Sequence, residues 1–275
     1  MQQNNFIFFG TPWVARDTLA ALISGGFTPK VVVTAPDAPV GRGLVLTPSE
    51  TKTLALAHNI PVLTPFVFDV ETISEIKSNE CDYAIVVAYG KIFSSELIDI
   101  FPKGVLNVHY SLLPKYRGAT PMESALLHGD TETGVTIQTM VREIDAGDVL
   151  AQERTPIAPE ETARELRPRL VALGAQLLLS TLPTYLNGDI TPLAQDASQA
   201  SRAYKIKKED GLLSMDAPAE ENWKKYRAYA DSIGTYFFEQ EKRIKIIKAS
   251  FKGGKFIIER VIPEGKKETD YRPSR

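Results

Sequence analysis

The first two hundred residues alternate short apolar runs with segments of helical periodicity. Such alternation is typical of βαβ units that build a parallel sheet. Continuous apolar runs, which strands buried on both faces require, occur at 6–9 and 83–88. The sequence therefore predicts an α/β fold. Its strands are expected at 6–9, 30–35, 61–63, 83–88, 104–109 and 134–140, with two shorter extended pieces in 149–157.

Capping residues and helical periodicity place helices between these strands. Thr47-Pro48-Ser49-Glu50 has the spacing of a capping box with Pro at the first helical position, and predicts that a helix begins there and runs to about His58. Thr162 and Glu165 repeat this spacing before a leucine stripe that extends to about Tyr185. Pro168 is expected to shift the start of that helix or to kink it. Further helices are predicted at 13–22, 70–77, 94–100 and 121–128.

The chain changes character near residue 187. Residues 187–210 are rich in Gly, Asp, Ser, Gln and Lys and lack periodicity, which predicts a linker. A helix is expected near 220–229, followed by three strands at 235–238, 243–249 and 255–261, the last two joined by a turn at Gly253-Gly254. We therefore expect a large domain over residues 1–188, a linker over 189–210 and a small, mostly β domain over 211–275.

Composition excludes several classes of protein. Of 275 residues, 43% are hydrophobic and 24% are charged, with a net charge of −2, which argues against disorder. No stretch approaches the ~20 uninterrupted apolar residues of a membrane-spanning helix. The single cysteine, Cys81, excludes an internal disulfide framework and a Cys-rich zinc site. The apolar run at 6–9 leaves no room for a targeting segment before it, so a cytoplasmic chain is expected.

Charge is distributed unevenly between the two predicted domains. Residues 1–200 hold 14 Lys and Arg against 22 Asp and Glu, whereas residues 201–275 hold 18 against 12. A basic segment on an acidic body is typical of a protein whose smaller part meets a polyanion. A solvated, lysine-rich surface would give the same pattern, and charge alone does not separate the two interpretations.

The sequence lacks the motifs of several common binding and catalytic sites. Gly10-Thr11-Pro12 follows the first predicted strand in place of G-x-G-x-x-G, which argues against dinucleotide binding in that loop. No Walker A motif occurs, so no site for nucleotide hydrolysis is expected. With three His and one Cys, a metal site would need mainly carboxylates, and none stand at suitable spacing. We expect no metal.

The segment that ends the fifth predicted strand carries candidate chemistry. Alternation along a strand sends Asn107 and His109 to one face and Val108 to the other, near the strand end where open α/β sheets bind ligands. An amide beside an imidazole suits an oxygen that becomes negative when a carbonyl is attacked. A buried structural histidine remains the alternative.

An acidic loop over 143–148 offers a partner for this histidine. Asp145 in that loop could orient and charge-stabilise an imidazole, although acidic loops with glycine are also common turns. His58 and His128 stand at predicted helix ends, where the helix dipole favours an imidazole, and need no catalytic role.

Asn107-Val108-His109, followed by Ser111-Leu112-Leu113-Pro114 and Arg117-Gly118, resembles the folate-site signature of the 10-formyltetrahydrofolate-dependent formyltransferases. Asp145 matches the third catalytic residue of that family in position and context. Collinear matches cover most of the chain. They lie at 9–12, at 35–37 with 41–43, at 86–90 and at 205–211.

This resemblance implies formyl transfer from 10-formyltetrahydrofolate to a primary amine. Asn107 and His109 would hold the oxygen of a tetrahedral oxyanion, and Asp145 would orient His109 and aid proton transfer. The resemblance also implies an open, mostly parallel, Rossmann-like sheet with helices on both faces and a C-terminal OB-like β domain. The residues implied for the folate are Ala88, Tyr89, Gly90, Ser111, Leu112, Leu113 and Pro114.

Two features favour initiator methionyl-tRNA as the acceptor of the formyl group. The loop Gly41-Arg42-Gly43 resembles the loop with which tRNA-specific members of the family approach the acceptor stem, and Arg42 could pair with phosphate or stack on a base. The basic linker adds Lys205, Lys207 and Lys208. Leu44-Val45 stands where the family often has lysines, and the tail of about 65 residues is short for a complete five-stranded barrel. A reduced barrel and a monomer are expected.

Two other functions remain open at this point. An N-formyltransferase for an amino sugar or another small amine would use the same chemistry. A non-catalytic RNA-binding protein on the same scaffold is the third hypothesis, and the presence of Asn107, His109 and Asp145 speaks against it.

Overall fold

A sheet of mostly parallel strands is the centre of the fold. The computed structural model describes residues 5–41, 43–230 and 232–272. Its strands are β1 (Phe6–Gly10), β2 (Val31–Val33), β3 (Ala38–Val40), β4 (Val45–Thr47), β5 (Val62–Leu63), β6 (Tyr83–Val87), β7 (Val105–His109), β8 (Arg117–Gly118), β9 (Glu132–Thr139), β10 (Val149–Pro156), β11 (Arg202–Ala203), β12 (Thr235–Glu239), β13 (Lys242–Lys252), β14 (Lys255–Pro263) and β15 (Thr269–Asp270). Its helices are α1 (Trp13–Ser24), α2 (Glu50–Ala57), α3 (Val70–Lys77), α4 (Ser95–Asp99), α5 (Pro121–His128), α6 (Ala163–Asn187) and α7 (Ala219–Tyr229), with 3-10 turns at Ala197–Gln199 and Lys208–Gly211.

Seven strands of the described residues form the main sheet, in the order β10-β9-β7-β6-β1-β2-β5. β1 is parallel to β2 and β6, β6 is parallel to β7, and β2 is parallel to β5. β9 runs antiparallel to β7. The predicted α/β fold with a mostly parallel sheet is confirmed. β7 is the strand at which the sheet changes from parallel to antiparallel pairing.

The sheet is held by apolar strands and an aromatic cluster. Every residue of β1 and of β6 is buried, as expected for parallel strands covered on both faces. The Phe9 ring packs edge-on against Phe93, with 5.0 Å between ring centroids, and against Tyr89, at 5.6 Å. Burial of each such side chain contributes about 1.5–3 kcal/mol of hydrophobic free energy. The end of β1 and the segment after β6 are therefore packed together.

The predicted end of α5 and the predicted start of α6 lie at the capping residues that the sequence indicates. α5 ends at His128 and is capped by Gly129, whose φ of 75° is the left-handed conformation that glycine adopts most readily. α6 begins after Thr162, whose N–H donates to Oε2 of Glu165 at 2.8 Å, as the capping-box spacing predicts. α6 continues through Pro168, so its start is not shifted.

The prediction for the start of α2 is wrong. The N-cap is Ser49, whose Oγ accepts from the N–H of Lys52 at 3.0 Å, and Pro48 precedes the helix. Thr47 cannot cap the helix because it ends β4, which pairs with β3 as an antiparallel hairpin. The extended segment after residue 148 also differs from the prediction, since it forms one continuous strand, β10, in place of two pieces.

α6 is long and apolar enough, by length and composition alone, to cross a membrane. Core helices of globular proteins pass the same test. Four of its leucines have no exposed surface in the structure, so one face of α6 packs into the interior. They are Leu166, Leu170, Leu178 and Leu182.

The described residues form two compact units built from interleaved segments. The first is drawn from Met1–Arg117, Gly134–Glu153 and Leu170–Ala200, and the second from Gly118–Thr133, Arg154–Arg169 and Ser201–Arg275. In the second unit, β12, β13, β14 and β15 form an antiparallel sheet in that order. Trp223 of α7 stacks on Phe251 of this sheet, with 6.1 Å between ring centroids. The predicted small C-terminal β structure is present, and the predicted boundaries after residues 188 and 210 stay a prediction.

Candidate active site

Two polar side chains project from one face of β7 near its end. Asn107 and His109 are two residues apart in an extended strand, so their side chains lie on one face and Val108 on the other. β6 runs parallel to β7 and pairs Val86 with Asn107, so the carboxyl ends of the two strands meet at this edge. Open α/β sheets bind ligands at such an edge.

Both ring nitrogens of His109 face oxygen atoms. The residue is only 5% exposed. Nε2 lies 3.0 Å from the backbone carbonyl oxygen of Tyr116, and because that oxygen can only accept, the geometry assigns a proton to Nε2. Nδ1 lies 3.6 Å from Oδ2 of Asp145. The imidazole is thus oriented by the backbone on one side and faces a carboxylate on the other.

The carboxylate of Asp145 is the point where the polar side chains meet. Its Oδ1 accepts from Nε2 of Gln138 at 2.9 Å and from Nδ2 of Asn107 at 3.3 Å. The Asp145 side chain is 15% exposed, and these donors compensate for the partial loss of water around its charge. The structure brings Asn107, His109 and Asp145 into contact.

The loop that carries Asp145 has an unusual backbone. Asp145 adopts φ of 52°, a left-handed conformation that is uncommon outside glycine. A Cβ added at Gly147 would lie 1.8 Å from the carbonyl oxygen of Thr139, so only glycine fits there. The N–H of Asp148 donates to Oγ1 of Thr139 at 3.0 Å, and the N–H of Thr139 donates back to the Asp148 carbonyl at 2.9 Å. The turn between β9 and β10 is therefore tight and closely held.

Gln138 is a site residue that the sequence interpretation missed. It lies in β9 directly opposite Asn107 and is 1% exposed. A long polar side chain inside an otherwise buried strand needs a partner, because burial of an unpaired amide is costly. That rule was the available signal, although it does not identify Asp145 as the partner.

The residues after β6 offer exposed backbone next to Asn107. Ala88 and Gly90 are exposed, Ala88 has φ of 47°, and a Cβ at Gly90 would meet no atom within 4 Å. The Tyr89 side chain is buried in the aromatic cluster, and this burial raises the pKa of its hydroxyl. The side chain of Tyr89 thus belongs to the core. A contact of this segment with folate stays a prediction that would use the backbone.

The loop after β7 is stiffened by its own hydrogen bonds. Ser111 Oγ donates to the Lys115 carbonyl at 2.6 Å, and Thr136 Oγ1 donates to the Ser111 carbonyl at 2.7 Å. Gln152 Nε2 donates to the Leu113 carbonyl at 3.0 Å. Ser111 and Leu113 are buried, whereas Leu112 and Pro114 are partly exposed. These bonds fix the chain that leads to Tyr116, the hydrogen-bond partner of His109.

The residues predicted to bind tRNA fall in two places. Lys205, Lys207 and Lys208 are exposed in the second unit, next to Tyr204, which is 77% exposed. Arg42 lies outside the described residues. The hairpin of β3 and β4 that flanks it is exposed.

No group of three or more His, Cys, Asp or Glu side chains in the described ranges is arranged to hold a metal ion. The candidate site instead offers hydrogen-bond donors, one imidazole and one carboxylate. This set can stabilise an oxyanion and move a proton.

Two family models match this chain. A model described as formyl transferase matches residues 4–182, and one described as formyl transferase, C-terminal domain, matches residues 205–260. The methionyl-tRNA formyltransferase of Bdellovibrio bacteriovorus is 41% identical over 253 residues, which are 91% of this chain and 80% of the relative.

Solved structures share the fold at low sequence identity. An N-formyltransferase from Helicobacter canadensis, in complex with folinic acid and dTDP-3-aminofucose, gives a TM-score of 0.71 at 21% identity, over 90% of this chain and 88% of that chain. A methionyl-tRNA formyltransferase from Clostridium thermocellum gives 0.63 at 16% identity, over 94% and 97%.

Proposed function

The chain belongs to the formyl transferase family, and from that membership we propose that it transfers the formyl group of 10-formyltetrahydrofolate to the α-amino group of methionine on initiator methionyl-tRNA. The observation that carries this proposal is the contact of Asn107 and His109 with the Asp145 carboxylate at the carboxyl end of β7. The α-amino group attacks the formyl carbon, a new C–N bond forms, the bond to the folate nitrogen breaks, and a proton passes from the amine to that nitrogen.

Asn107 holds the oxygen that becomes negative, and His109 joins it as a donor once its Nδ1 is protonated. The Asn107 amide has two N–H donors, one used on Asp145, so the other is available for this oxygen. Donors aimed at a developing oxyanion lower the barrier most in a site that excludes water, and His109 is buried. The substrate amine is itself the nucleophile, so no covalent enzyme intermediate is needed.

His109 and Asp145 move the proton. Because Nε2 keeps its proton for the Tyr116 carbonyl, Nδ1 is the atom that accepts a proton from the attacking amine. The imidazolium that results faces the Asp145 carboxylate, which stabilises its charge, and it is then a donor toward the oxyanion. Asp145 orients the protonated His109 ring by accepting from Nδ1–H and, through water, aids return of the proton to the folate nitrogen.

The folate lies at the ends of β6 and β7. A pterin ring carries both donors and acceptors along its edge, and the exposed backbone around Ala88 and Gly90 offers both, with open space at Gly90. The Asp145 loop completes this pocket. The partly exposed side chains of Leu112 and Pro114 line the path of the folate, while Ser111 and Leu113 support them from inside the loop.

The macromolecular acceptor is recognised by Arg42 and by the basic segment with Lys205, Lys207 and Lys208. The excess of basic residues in 201–275 supports contact with a polyanion. The domains that we propose are a catalytic domain over residues 1–188, a linker over residues 189–210 and a reduced, OB-like domain over residues 211–275. The protein acts as a cytoplasmic monomer without a metal.

The test is formylation of initiator methionyl-tRNA by the purified full-length chain, with His109→Ala and Arg42→Ala beside it. We expect turnover by the wild type, loss of chemistry in His109→Ala by roughly 10²-fold to 10³-fold, and in Arg42→Ala mainly a higher KM for tRNA. Formylation of a sugar amine without formylation of the tRNA would show that the acceptor is a small amine. Binding of tRNA without any consumption of 10-formyltetrahydrofolate would contradict the proposal.

A further inference from the structure

The segment after α6 returns to the edge of the main sheet. Leu193 and Val149 exchange backbone hydrogen bonds, with N–H to carbonyl distances of 2.8 and 2.9 Å. Val149 is the first residue of β10, directly after the loop that carries Asp145. Gln195, two residues beyond Leu193, is therefore held over this loop, and its side chain is partly buried.

The side-chain amide of Gln195 donates to the backbone of the Asp145 loop. Nε2 lies 2.9 Å from the carbonyl oxygen of Asp145 and 2.7 Å from that of Gly147. It also lies 3.3 Å from Oε1 of Gln138, whose own Nε2 donates to the Asp145 carboxylate. The Gln195 amide thus donates to the backbone carbonyls on both sides of Ala146. It also contacts Gln138, the side chain that donates to the Asp145 carboxylate.

Arg117 fixes the orientation of this amide. Its Nε and Nη2 donate to Oε1 of Gln195 at 3.1 and 2.9 Å. The guanidinium has only donors and the loop carbonyls have only acceptors, so the amide fits in a single orientation. The Arg117 side chain is 11% exposed, and its Nη1 lies 3.5 Å from the exposed Glu143 of the same loop.

We propose that Gln195 is a positioning residue for formyl transfer: it holds the Asp145 loop in the conformation that places the carboxylate against His109. This inference rests on the proposed function. Asp145 has a left-handed backbone, which persists only where surrounding contacts favour it, and Gln195 donates to the carbonyl of that residue. Gln195 does not touch the reacting atoms, so its contribution is to the geometry of the carboxylate.

Gln195→Glu tests this proposal with little change in shape. The substitution keeps an oxygen for Arg117 and replaces the NH₂ group with an oxygen that faces two carbonyl oxygens. We expect kcat to fall roughly 10-fold to 100-fold, because a small displacement of a catalytic group has effects of that size, while KM for methionyl-tRNA stays unchanged. The ratio of variant to wild-type kcat should rise as pH falls, because the introduced carboxyl donates a hydrogen bond again when protonated.

Gln199→Glu is the matched control. Gln199 is exposed, and its substitution adds the same charge four residues further along the chain. It should have wild-type kcat at every pH. Hydrogen–deuterium exchange of the 143–148 loop gives a readout that needs no turnover, and Gln195→Glu should increase exchange there while Gln199→Glu does not.

Unchanged kcat and unchanged loop exchange in Gln195→Glu would overturn the proposal. A fall in kcat of equal size at all pH values, with unchanged exchange, would also overturn it, because the loop would then be held without Gln195. A wild-type chain that formylates no amine would contradict the proposed function instead. The exchange comparison would then still decide whether Gln195 holds the loop.

Discussion

Asn107 and Gln138 lie directly opposite each other across β7 and β9, and both donate to the same oxygen of Asp145. The two distances, 3.3 Å from Asn107 and 2.9 Å from Gln138, make Gln138 the closer donor. Gln138 is buried, so its amide stays hydrogen-bonded to the Asp145 carboxylate. In the proposed mechanism, the second N–H of Asn107 is directed toward the substrate.

Gln138→Leu is expected to lower kcat roughly 10-fold, because the hydrogen bond that Gln138 donates to the charged Asp145 carboxylate is lost. Formylation of initiator methionyl-tRNA under saturating substrate measures this. Gln176→Leu, at an exposed position of α6, is the control and should retain full activity. Wild-type kcat in Gln138→Leu would show that the carboxylate does not need this donor.

Gly147→Ala is expected to lower both stability and activity. The added Cβ would lie 1.8 Å from the Thr139 carbonyl oxygen, which is backbone and cannot rotate away, so the turn must shift and Asp145 with it. A fall in the midpoint of thermal unfolding, together with a lower kcat, would support this. Gly43→Ala, whose Cβ would meet no atom nearer than 3.6 Å, should leave the unfolding temperature unchanged. Equal unfolding temperatures for the two variants would contradict the account.

The second unit contains an ion pair whose partners are both largely removed from water. Nη2 of Arg167 contacts Oε1 of Glu123, and the two side chains are 17% and 8% exposed. Glu123→Gln removes the negative charge that Arg167 contacts and should destabilise the protein by about 1.5–3 kcal/mol in urea unfolding. The double variant Glu123→Leu with Arg167→Leu should recover a large part of that loss. A double variant less stable than Glu123→Gln would contradict this interpretation.

The buried thiol of Cys81 gives stability a defined dependence on alkaline pH. Burial raises the pKa of Cys81 from its ordinary value of 9.0 to about 11. Between these values the unfolded chain loses a proton that the folded chain keeps. The unfolded chain then binds fewer protons, so the free energy of unfolding falls as pH rises, by about 1.4 kcal/mol per pH unit.

Cys81→Ala removes this one titration. The stability advantage of the wild type over Cys81→Ala should therefore shrink as pH rises from 9 toward 11. Chemical denaturation across this range measures it. An advantage that stays constant with pH would mean that Cys81 titrates alike in the folded and unfolded chain.

Local patterns predicted the parts of the fold that local physics controls. Continuous apolar runs identified β1 and β6, and alternation placed Asn107 and His109 on one face. The start of α2 was mispredicted because pairing of β4 with β3 takes up Thr47, and Ser49 then caps the helix. That competition depends on a second strand and is not visible in the capping residues themselves.

The candidate site was predictable only in part, for a related reason. The family resemblance pointed to Asp145, and the structure places its carboxylate 3.6 Å from His109. Gln195 lies in a stretch without periodicity, and its position depends on the backbone pairing of Leu193 with Val149 far earlier in the chain. No local rule connects residues at such separation, so only the folded chain could reveal this contact.

The role of the Asp145 charge in catalysis is tested by the single-turnover rate of formyl transfer to initiator methionyl-tRNA, measured for the wild type and for Asp145→Asn. The substitution preserves the shape of the side chain and removes the charge that His109 faces. We expect transfer by the wild type and a rate lower by at least about 10²-fold in Asp145→Asn, with an unchanged unfolding temperature. A wild-type rate in Asp145→Asn would contradict it.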